Sequence, residues 1–455
     1  LSLSLILLTC FVSLICILVS IKEIKFRIKE YLIAFLLIES FAICIFSAVD
    51  VMLFYIVFEA ILVPMFFVIG IWGGKNRIYA SYKLFLYTIT GSLLFLTAII
   101  YIYVKVGNFD MSKWSNIEHF TVKYVELENN MVGDYNVSLL SLIESGIDLS
   151  TLNSDSEYDL DSIDLNKSRD IAKYLWIIFF IAFAIKIPMI PFHTWLPDAH
   201  VQAPTSGSIM LAGVMLKIGA YGCIRFLLLM LPGYAPENII YALSIIAIIY
   251  ASLIAFNQKD LKKIIAYSSI SHMGFVTAGM FSNDELGFTG AIIQMISHGI
   301  ISTGLFLSIG ILYNQTHNRN IDDYGNVASK MPIYSAFVMI LTMASIGLPG
   351  TSGFVGELMV IIGSYRSNFI EKTNPYALLL LLSMIFSAVY MLLFYKKIFY
   401  GQAKKLTESL QDIDKTEIII YSVITFMILL LGIYPSVLTN VLNLILLKIG
   451  HRCCF

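Results

Sequence analysis

The sequence predicts an all-α, polytopic membrane protein with about twelve transmembrane helices, two of them broken. Of its 455 residues, 58% are hydrophobic and only 13% are charged, whereas soluble domains carry about 25% charged residues. Apolar runs of roughly 17–25 residues, long enough to cross a bilayer, recur along the chain. Two of these runs are interrupted by proline and glycine. Such a pair is typical of an inverted internal repeat with a site near the middle of the membrane.

The apolar runs give the order of the predicted helices. They lie at 3–21, 31–49, 51–71, 84–106, 171–200, 205–230, 238–256, 264–281, 287–313, 332–367, 376–399 and 417–447. The first run lacks the basic start and the small-residue cleavage site of a signal peptide, so it is predicted to be a true span. The fifth run is broken at Pro188, Pro191 and Pro197, and the tenth at Leu348-Pro349-Gly350.

Charged loops indicate how the chain crosses the membrane. Twelve spans would bring all the basic loops to one side, which agrees with the positive-inside rule, and would leave both termini on the other side with the acidic loops. The basic loops are 21–30, 73–77, 257–263 and 395–405, and the acidic ones are 107–170 and 282–285.

The chain divides into three predicted segments. They are N-terminal transmembrane helices at 1–106, an acidic hydrophilic insertion at 107–170 and a transmembrane core at 171–450. Alternate carboxylates at 155–161 superficially resemble a calcium loop, but the required glycine and terminal glutamate are absent. The insertion is therefore expected to be solvated or to contact a partner.

Ionisable residues inside apolar helices predict an ion or proton path. Lys186 lies beside the first break and Lys217 lies within the next helix, where an ammonium group costs about 3 kcal/mol or more. Glu59 lies mid-span and is the predicted partner of Lys186, because a nearby cation keeps a buried carboxylate ionised. The alternatives are a protonated, inert Glu59 and a Lys186 that snorkels to the interface. Lys262, which follows Asp260 in a basic loop, either continues the path or anchors a helix end.

A polar stripe marks one otherwise apolar helix. Gln294, His298 and Ser302 recur at a spacing of four residues and therefore share a face. Histidine titrates near neutral pH, so the stripe predicts a proton relay, with a purely structural histidine as the alternative. His272 lies nearer a loop and is a second candidate for the same role. Glu357, just past the second break, is expected to pass protons in or out of the path.

Other patterns exclude several functional classes. The six cysteines form no CxxC pair, and the chain has no Walker loop, no glycine-rich dinucleotide fingerprint and no haem motif. A net charge of -1 gives no basic footprint for nucleic acid. The chain is therefore expected to move charge without binding a cofactor, a metal or nucleic acid.

One long motif carries a family resemblance. The stretch FAIKIPMIPFHTWLPDAHVQAPTSGSIMLAGVMLKIGAYG closely resembles the core of the antiporter-like membrane subunits of respiratory complex I. FEAILVPMFFVIGIWGG, DLKKIIAYSSISHMGF, MISHGIISTGLF and GFVGELMV match further family segments in order, and the resemblance covers about 31–106 and 171–445. Subunit 5-type chains typically carry lysine past the second break, so Glu357 favours the subunit 4 branch, the bacterial M type.

The resemblance implies a function and a role for each candidate residue. It implies a proton-translocating subunit of the membrane arm of NADH:ubiquinone oxidoreductase, with NADH, FMN, iron–sulfur clusters and ubiquinone bound by partner subunits. Glu59 and Lys186 would form a coupled ion pair, Lys217 would carry protons, His298 would relay them and Glu357 would be the terminal glutamate. Positions that match the family with less defined roles are Lys262, His193 and His272.

Partners and location also follow from the resemblance. The expected partners are the other membrane-arm subunits, above all the subunit 2-like and subunit 5-like chains, together with phospholipids. The expected location is the mitochondrial inner membrane, with the bacterial plasma membrane as the alternative. The family has fourteen helices, so about two N-terminal helices are expected to be missing here and to be supplied by a separate polypeptide or lost. A stand-alone cation/proton antiporter and a non-conducting scaffold remain open as alternatives.

Overall fold

A computed structural model describes residues 1–111, 165–231, 236–367 and 375–442. Within these ranges the chain is helical apart from turns and two isolated β-bridges, which confirms the predicted all-α class. Most of the predicted acidic insertion, residues 112–164, lies outside the described residues. The predicted division of the chain at this insertion therefore stays a prediction.

The helices occupy the following ranges in chain order. They are α1 Ser2–Glu23, α2 Ile28–Ser47, α3 Val51–Ala60, α4 Leu62–Trp72, α5 Arg77–Val106, α6 Leu165–Lys186, α7 Trp195–Gln202, α8 Thr205–Leu228, α9 Glu237–Asn257, α10 Leu261–Met280, α11 Glu285–Thr316, α12 Val327–Lys330, α13 Pro332–Ile346, α14 Ser352–Arg366, α15 Pro375–Phe399 and α16 Lys415–Ile433. Short 3₁₀ turns lie at Phe192–Thr194, Ile321–Asp323 and Lys405–Thr407.

Each of the twelve predicted spans overlaps one or two of these helices, but α16 ends at Ile433, before the predicted end of the twelfth span at 447, and residues 443–447 lie outside the described residues. Among the described residues, nine helical segments are long and apolar enough to cross a membrane, with α3 and α4 counted as one segment. The predicted spans outside those nine are the two broken ones, α6–α7 and α13–α14, and α10. Helix α10 is more polar because it carries Lys262, Lys263 and His272.

The two broken spans end their first helices in different ways. Helix α6 ends at Lys186, two residues before Pro188, which offers no N–H to continue the helix. Helix α13 ends in a left-handed Gly347 with φ 81°, whose N–H bonds to the carbonyl of Ala344, while the N–H of Leu348 bonds to Met343. This is the Schellman arrangement, for which glycine is preferred. The sequence breaks are therefore real breaks in the helices.

Contacts between loops gather the basic segments on one face. The N–H of Gly74 donates to the carbonyl of Gln202 at 2.8 Å, and the Nζ of Lys262 donates to the carbonyl of Ala203 at 2.6 Å. We call this end of the helices the basic face, defined by 21–30, 73–77, 257–263 and 395–405, and the opposite end the acidic face.

The two β-bridges support the predicted inverted repeat. Asp50, just before α3, pairs antiparallel with Asp110, just after α5. Asp260, just before α10, pairs in the same way with Asn320, just after α11. In the described part of the chain, five crossings separate Asp50 from Asp260, through α3–α4, α5, α6–α7, α8 and α9, and this number is odd. The same closed hairpin therefore occurs on opposite faces of the molecule.

Helices α8 and α11 form the centre of the bundle. Helix α11 is buried along its apolar length and α8 nearly so. Helix α8 contains two π-helical stretches, Leu211–Met215 and Cys223–Leu228, inside an otherwise α-helical segment. Such wider turns occur often at functional sites because they redirect side chains and carbonyls. The buried polar groups described next lie on and around these two helices.

Candidate functional site

The Lys186 side chain is buried at the first break. It is 3% exposed, its Nζ donates to the carbonyl of Phe58 at 2.9 Å, and it lies 3.3 Å from the centroid of the Phe58 ring. Glu59 follows Phe58 on α3, is half-buried and interacts electrostatically with Lys186. Among the described residues the two side chains form no direct ion pair, and Glu59 Oε1 is buried without a hydrogen-bond partner. Glu59 and Lys186, the predicted partners, thus lie close together without a hydrogen bond or salt bridge between their side chains.

Lys217 lies on α8 in the centre of the molecule and is fully buried. Its Nζ hydrogen-bonds to the carbonyl of Ala212, five residues earlier, within the first π-helical stretch. The same nitrogen lies 2.8 Å from Nδ1 of His298 on α11. The π-helical turn of α8 thus supplies a carbonyl acceptor for Lys217, and α11 supplies an imidazole nitrogen that can take up a proton.

A second polar group surrounds Glu357 on α14. Its Oε1 lies 3.0 Å from Nδ1 of His272 and accepts a hydrogen bond from Nε2 of Gln294 at 3.1 Å. The other ring nitrogen of His272 lies 3.3 Å from the hydroxyl of Ser345 on α13. Glu357 is 1% exposed, so α10 and α11 provide its hydrogen-bonding partners in an apolar core, and α13 contacts one of these partners.

The two groups meet at the histidines. The ring centroids of His272 and His298 are 5.6 Å apart. His298 Nε2, Glu357 Oε2 and Gln294 Oε1 are buried and have no hydrogen-bond partner in the described part of the chain. Buried polar atoms of this kind are commonly satisfied by ordered water. Lys217, His298, His272 and Glu357 therefore form a nearly continuous row of titratable groups.

A third polar group lies between Lys217 and the basic face. Lys262 is 3% exposed and donates to the carbonyl of Ala203 at 2.6 Å and to the hydroxyl of Ser208 at 3.4 Å. His200 on α7 is fully buried, stacks on the ring of Phe306 at 4.5 Å and leaves both ring nitrogens without a partner among the described residues. His200 also lies within electrostatic range of Lys262 and of Lys217.

His193 lies at the edge of this row. It is 5% exposed, and its ring packs edge-on against Tyr250 at 5.4 Å. Its Nδ1 has no hydrogen-bond partner in the described ranges. Among the described residues it forms no hydrogen bond with Lys217, His298 or Glu357, so the structure places it beside the row of candidate groups and not within it.

These side chains are suited to proton transfer. Lysine can lose its proton when it is removed from water, and imidazole can accept a proton at one nitrogen while it donates from the other. Within the described residues, no group of three or more His, Cys, Asp or Glu side chains is arranged to hold a metal ion. Proton movement along the row is therefore the chemistry that the arrangement supports best.

Comparisons with known proteins identify the family. The family model described as NADH:quinone oxidoreductase/Mrp antiporter, TM, matches residues 48–142 and 130–385. The chain belongs to this family. It is 48% identical over 440 residues to NADH-quinone oxidoreductase subunit M of Rickettsia bellii, covering 96% of this chain and 79% of that protein. It is 41% identical over 445 residues to NADH-ubiquinone oxidoreductase chain 4 of Chondrus crispus, with coverage of 96% and 79%.

Solved structures share the fold of this chain. The chain superposes on a chain of respiratory complex I from Thermus thermophilus with a TM-score of 0.79 and 25% identity, covering 99% of this chain and 85% of that one. It superposes on a chain of the Mrp complex from Dietzia sp. DQ12-45-1b with a TM-score of 0.76 and 17% identity, covering 96% and 81%. The predicted family and the multi-pass membrane architecture are therefore confirmed.

The structure adds His200 to the candidate residues of this family member. The sequence offers little signal for it, because α7 has only eight residues and shows no polar stripe. A general rule would have found it, since any ionisable residue between two membrane-buried lysines is a functional candidate. Gln294 was recognised only as part of a stripe, and its contact with Glu357 depends on the packing of α11 against α14.

Proposed function

We propose that this chain is a proton-translocating membrane-arm subunit of an NADH:quinone oxidoreductase. The observation that carries the proposal is the 2.8 Å contact between Lys217 Nζ and His298 Nδ1, at a lysine that is fully buried. A buried ammonium group without a counter-ion is costly, so it is kept where the charge is used. The neighbouring imidazole of His298 can accept the proton that Lys217 releases.

Each group in the row has a defined part in the transfer. Lys217 gives a proton to Nδ1 of His298, and the imidazolium that forms releases its Nε2 proton toward His272. His272 then passes a proton to the carboxylate of Glu357, 3.0 Å away. Each step makes one N–H or O–H bond and breaks another, so the row carries protons without an oxidant or a reductant.

Glu59 and Lys186 serve as the switch of this path. Lys186 is bonded to a carbonyl next to Glu59 and not to the carboxylate itself. A charge that arrives near Glu59 therefore alters the environment of Lys186 without first breaking a salt bridge. Because electrostatic interactions are strong in a dry interior, the charge state of this pair influences the release of the proton from Lys217.

Redox chemistry belongs to other subunits in this proposal. NADH, FMN, iron–sulfur clusters and ubiquinone are bound by partner chains, and the neighbours of this chain are the subunit 2-like and subunit 5-like membrane subunits. We place the complex in the mitochondrial inner membrane. Relatives named chain 4 in Chondrus crispus and Marchantia polymorpha support that location, and relatives named subunit M in Rickettsia support a bacterial membrane as the alternative.

A stand-alone cation/proton antiporter subunit is the second candidate function. The shared fold with the Mrp complex chain favours it, and the same lysines and histidines would serve an antiporter. A non-conducting scaffold fits less well, because the row of titratable groups from Lys217 to Glu357 is complete.

Purification of the tagged full chain from its own membranes separates these functions. We expect NADH:quinone reductase activity to co-purify with the chain, and the reconstituted preparation to move protons when NADH is added. Untagged membranes taken through the same steps are the control. A chain that purifies without NADH-oxidising activity and exchanges sodium or potassium for protons along an imposed pH gradient would contradict the proposal and favour the antiporter.

A further inference from the structure

We infer that Glu23 is the carboxylate through which protons reach this path from the basic face. This inference rests on the proposed function and adds its point of proton uptake. Glu23 is the last residue of α1 and is half-buried at the basic face. No sequence pattern pointed to it, because it lies among other charged residues of the loop at 21–30.

The two oxygens of Glu23 have different surroundings. Oε1 accepts hydrogen bonds from the backbone N–H of Thr205 at 3.1 Å and from its hydroxyl at 2.8 Å. Oε2 is buried and has no hydrogen-bond partner in the described part of the chain. A buried carboxylate oxygen without a donor is unfavourable unless it takes up a proton or a water molecule. Thr205 therefore fixes the carboxylate through Oε1 and is placed to pass a proton to it, while Oε2 is left without a donor among the described residues.

A cavity on the outer side of Thr205 provides a route for water. Its volume is about 30 Å³, above the roughly 10–15 Å³ that a cavity needs in order to hold one water molecule. Thr205 lines it together with Lys22, Asn314 and Glu417. The Lys22 side chain is 40% exposed, so this cavity lies at the surface of the basic face. The Thr205 hydroxyl thus joins a water-sized space to Glu23.

The inner side of Glu23 leads to the buried polar groups. Lys262 lies within electrostatic range of Glu23 and donates to the hydroxyl of Ser208, three residues after Thr205 on α8. The Ser208 hydroxyl in turn donates to the carbonyl of His200 at 3.1 Å. The His200 ring has no hydrogen-bond partner among the described residues and lies within electrostatic range of Lys217. The polar groups therefore continue from Glu23 inward along the first turns of α8.

The proposed transfer conserves protons at each step. A hydronium ion in the cavity gives a proton to the Thr205 hydroxyl and becomes water, while that hydroxyl passes its own proton to Oε1 of Glu23, which becomes a neutral carboxylic acid. The acid then gives its proton to the neutral amine of Lys262, which becomes an ammonium group, and Glu23 returns to its anionic form. Lys262 passes the proton inward through the region of His200 to Lys217.

Replacement of Glu23 by glutamine separates this role from a structural one. Glutamine keeps a carbonyl oxygen that accepts both hydrogen bonds from Thr205, but it cannot take up a proton. The assembled complex is measured in sealed vesicles with NADH as the fuel. We expect Glu23→Gln to lower the rate of proton uptake by about tenfold or more, because a positioned acid–base group accelerates proton transfer by at least about that factor.

Small weak acids provide the decisive readout. Formate or azide, added at millimolar concentration, delivers protons in place of the missing carboxylate, so the slow rate of Glu23→Gln should rise toward that of the wild type. Glu23→Asp keeps a titratable group and should keep most of the rate. The matched control is Glu30→Gln, because Glu30 is an exposed basic-face carboxylate paired with Arg27 at 3.6 Å, and it should pump normally.

The outcomes distinguish this inference from the proposed function. Lys217→Ala is measured beside these variants. If Lys217→Ala loses proton pumping while Glu23→Gln takes up protons at the normal rate, the inference about Glu23 is overturned and the proposed function stands. A slow Glu23→Gln that weak acids do not restore, or one that fails to assemble, makes Glu23 a structural contact and also overturns the inference. Normal pumping in Lys217→Ala overturns the proposed function itself.

Discussion

At the scale of single residues, His272 and His298 connect the buried Lys217 to the buried Glu357. His298 contacts Lys217 and His272 contacts Glu357, and the two rings face each other across 5.6 Å. The sequence favoured His298 because of its polar stripe and placed His272 second because it lies nearer a loop. The structure buries both of them, with His272 6% and His298 4% exposed, where α10 packs against α11.

The first prediction concerns His272. We expect His272→Gln to lower NADH-driven proton pumping by about tenfold or more, because Glu357 loses the titratable neighbour that exchanges protons with it. Pumping is measured in sealed vesicles at equal complex content. His193→Gln is the comparison, because His193 is also buried but lies beside the row of candidate groups. Equal losses in the two variants would contradict the assignment of His272 to the path.

Residue types were easier to predict from the sequence than their partners. Lys186, Lys217 and Glu357 were recognised because charges in apolar helices are rare and costly. The hydrogen bond from Lys186 to Phe58 could not be predicted, because it depends on where α3 lies relative to α6. The carbonyl of Ala212 that accepts the bond from Lys217 lies in a π-helical turn, for which the local sequence gives no signal.

At the scale of helices, close packing of α11 against α14 brings Gln294 to Glu357. A Cβ atom added at Gly356 would lie 2.5 Å from Oε1 of Gln294 and 2.9 Å from its backbone nitrogen. A Cβ atom added at Gly290 would lie 2.8 Å from the backbone nitrogen of Val360. Small residues at these positions let two membrane helices approach closely. The position of the Glu357 carboxylate therefore depends on glycines on both helices.

The second prediction concerns Gly356. We expect Gly356→Ala to destabilise the chain by about 1–3 kcal/mol, because the added methyl group forces the two helices apart. The shift should also weaken the bond from Gln294 to Glu357 and lower coupled turnover. Thermal unfolding and NADH-driven pumping are measured together. Gly70→Ala is the control, because its added Cβ would lie at an ordinary distance of 3.5 Å from the Ser81 hydroxyl. Wild-type stability in Gly356→Ala would contradict this account.

The third prediction concerns the start of α16 at the basic face. Asp414 accepts a hydrogen bond from the backbone N–H of Glu417 at 2.9 Å, and Glu417 caps Asp414 in return. We expect Asp414→Ala to cost about 1 kcal/mol through loss of this cap. Asp414→Asn should cost less, because asparagine also caps helices. Thermal unfolding at neutral pH checks both values, and equal stability of all three proteins would contradict the role of the cap.

The same aspartate predicts a pH dependence. A hydrogen bond from Lys22 is the main cause that lowers the pKa of Asp414 below its ordinary value. The interaction of Lys22 with ionised Asp414 therefore stabilises the fold fully above the ordinary aspartate pKa of about 4, and this stabilisation is lost as the pH falls through the lowered pKa of Asp414. The advantage of the wild type over Asp414→Asn in thermal unfolding should shrink below about pH 4. An advantage that persists at lower pH would contradict this ion pair.

At the scale of the whole molecule, the inverted repeat places equivalent loops of its two halves on opposite faces of the membrane domain. The bridge between Asp50 and Asp110 and the bridge between Asp260 and Asn320 lie on opposite faces. The repeat was predictable from the two broken spans, since each break lies beside an ionisable residue. The bridges themselves were not predictable, because they join residues that are about 60 positions apart in polar segments outside the helices.

The fourth prediction is the orientation of the loops. Single cysteines placed at the exposed positions Lys75 and Lys404 should react with an impermeant maleimide from the cytoplasmic or matrix side. A cysteine placed at the exposed Asn283 should react only from the opposite side. Labelling of sealed vesicles of both orientations checks this, with the wild-type chain as the background control. Labelling of Asn283→Cys and Lys75→Cys from the same side would contradict the topology.

The most direct test of the central claim is the number of protons translocated per NADH oxidised when Lys217 is replaced. Lys217→Met nearly keeps the volume of the side chain and removes its exchangeable proton, and Lys29→Met at the exposed basic face is the matched control. The assembled complex is measured in sealed vesicles. We expect Lys217→Met to abolish or strongly reduce coupled proton translocation, while Lys29→Met keeps the wild-type ratio. An unchanged ratio of protons to NADH in Lys217→Met would contradict the proposed path.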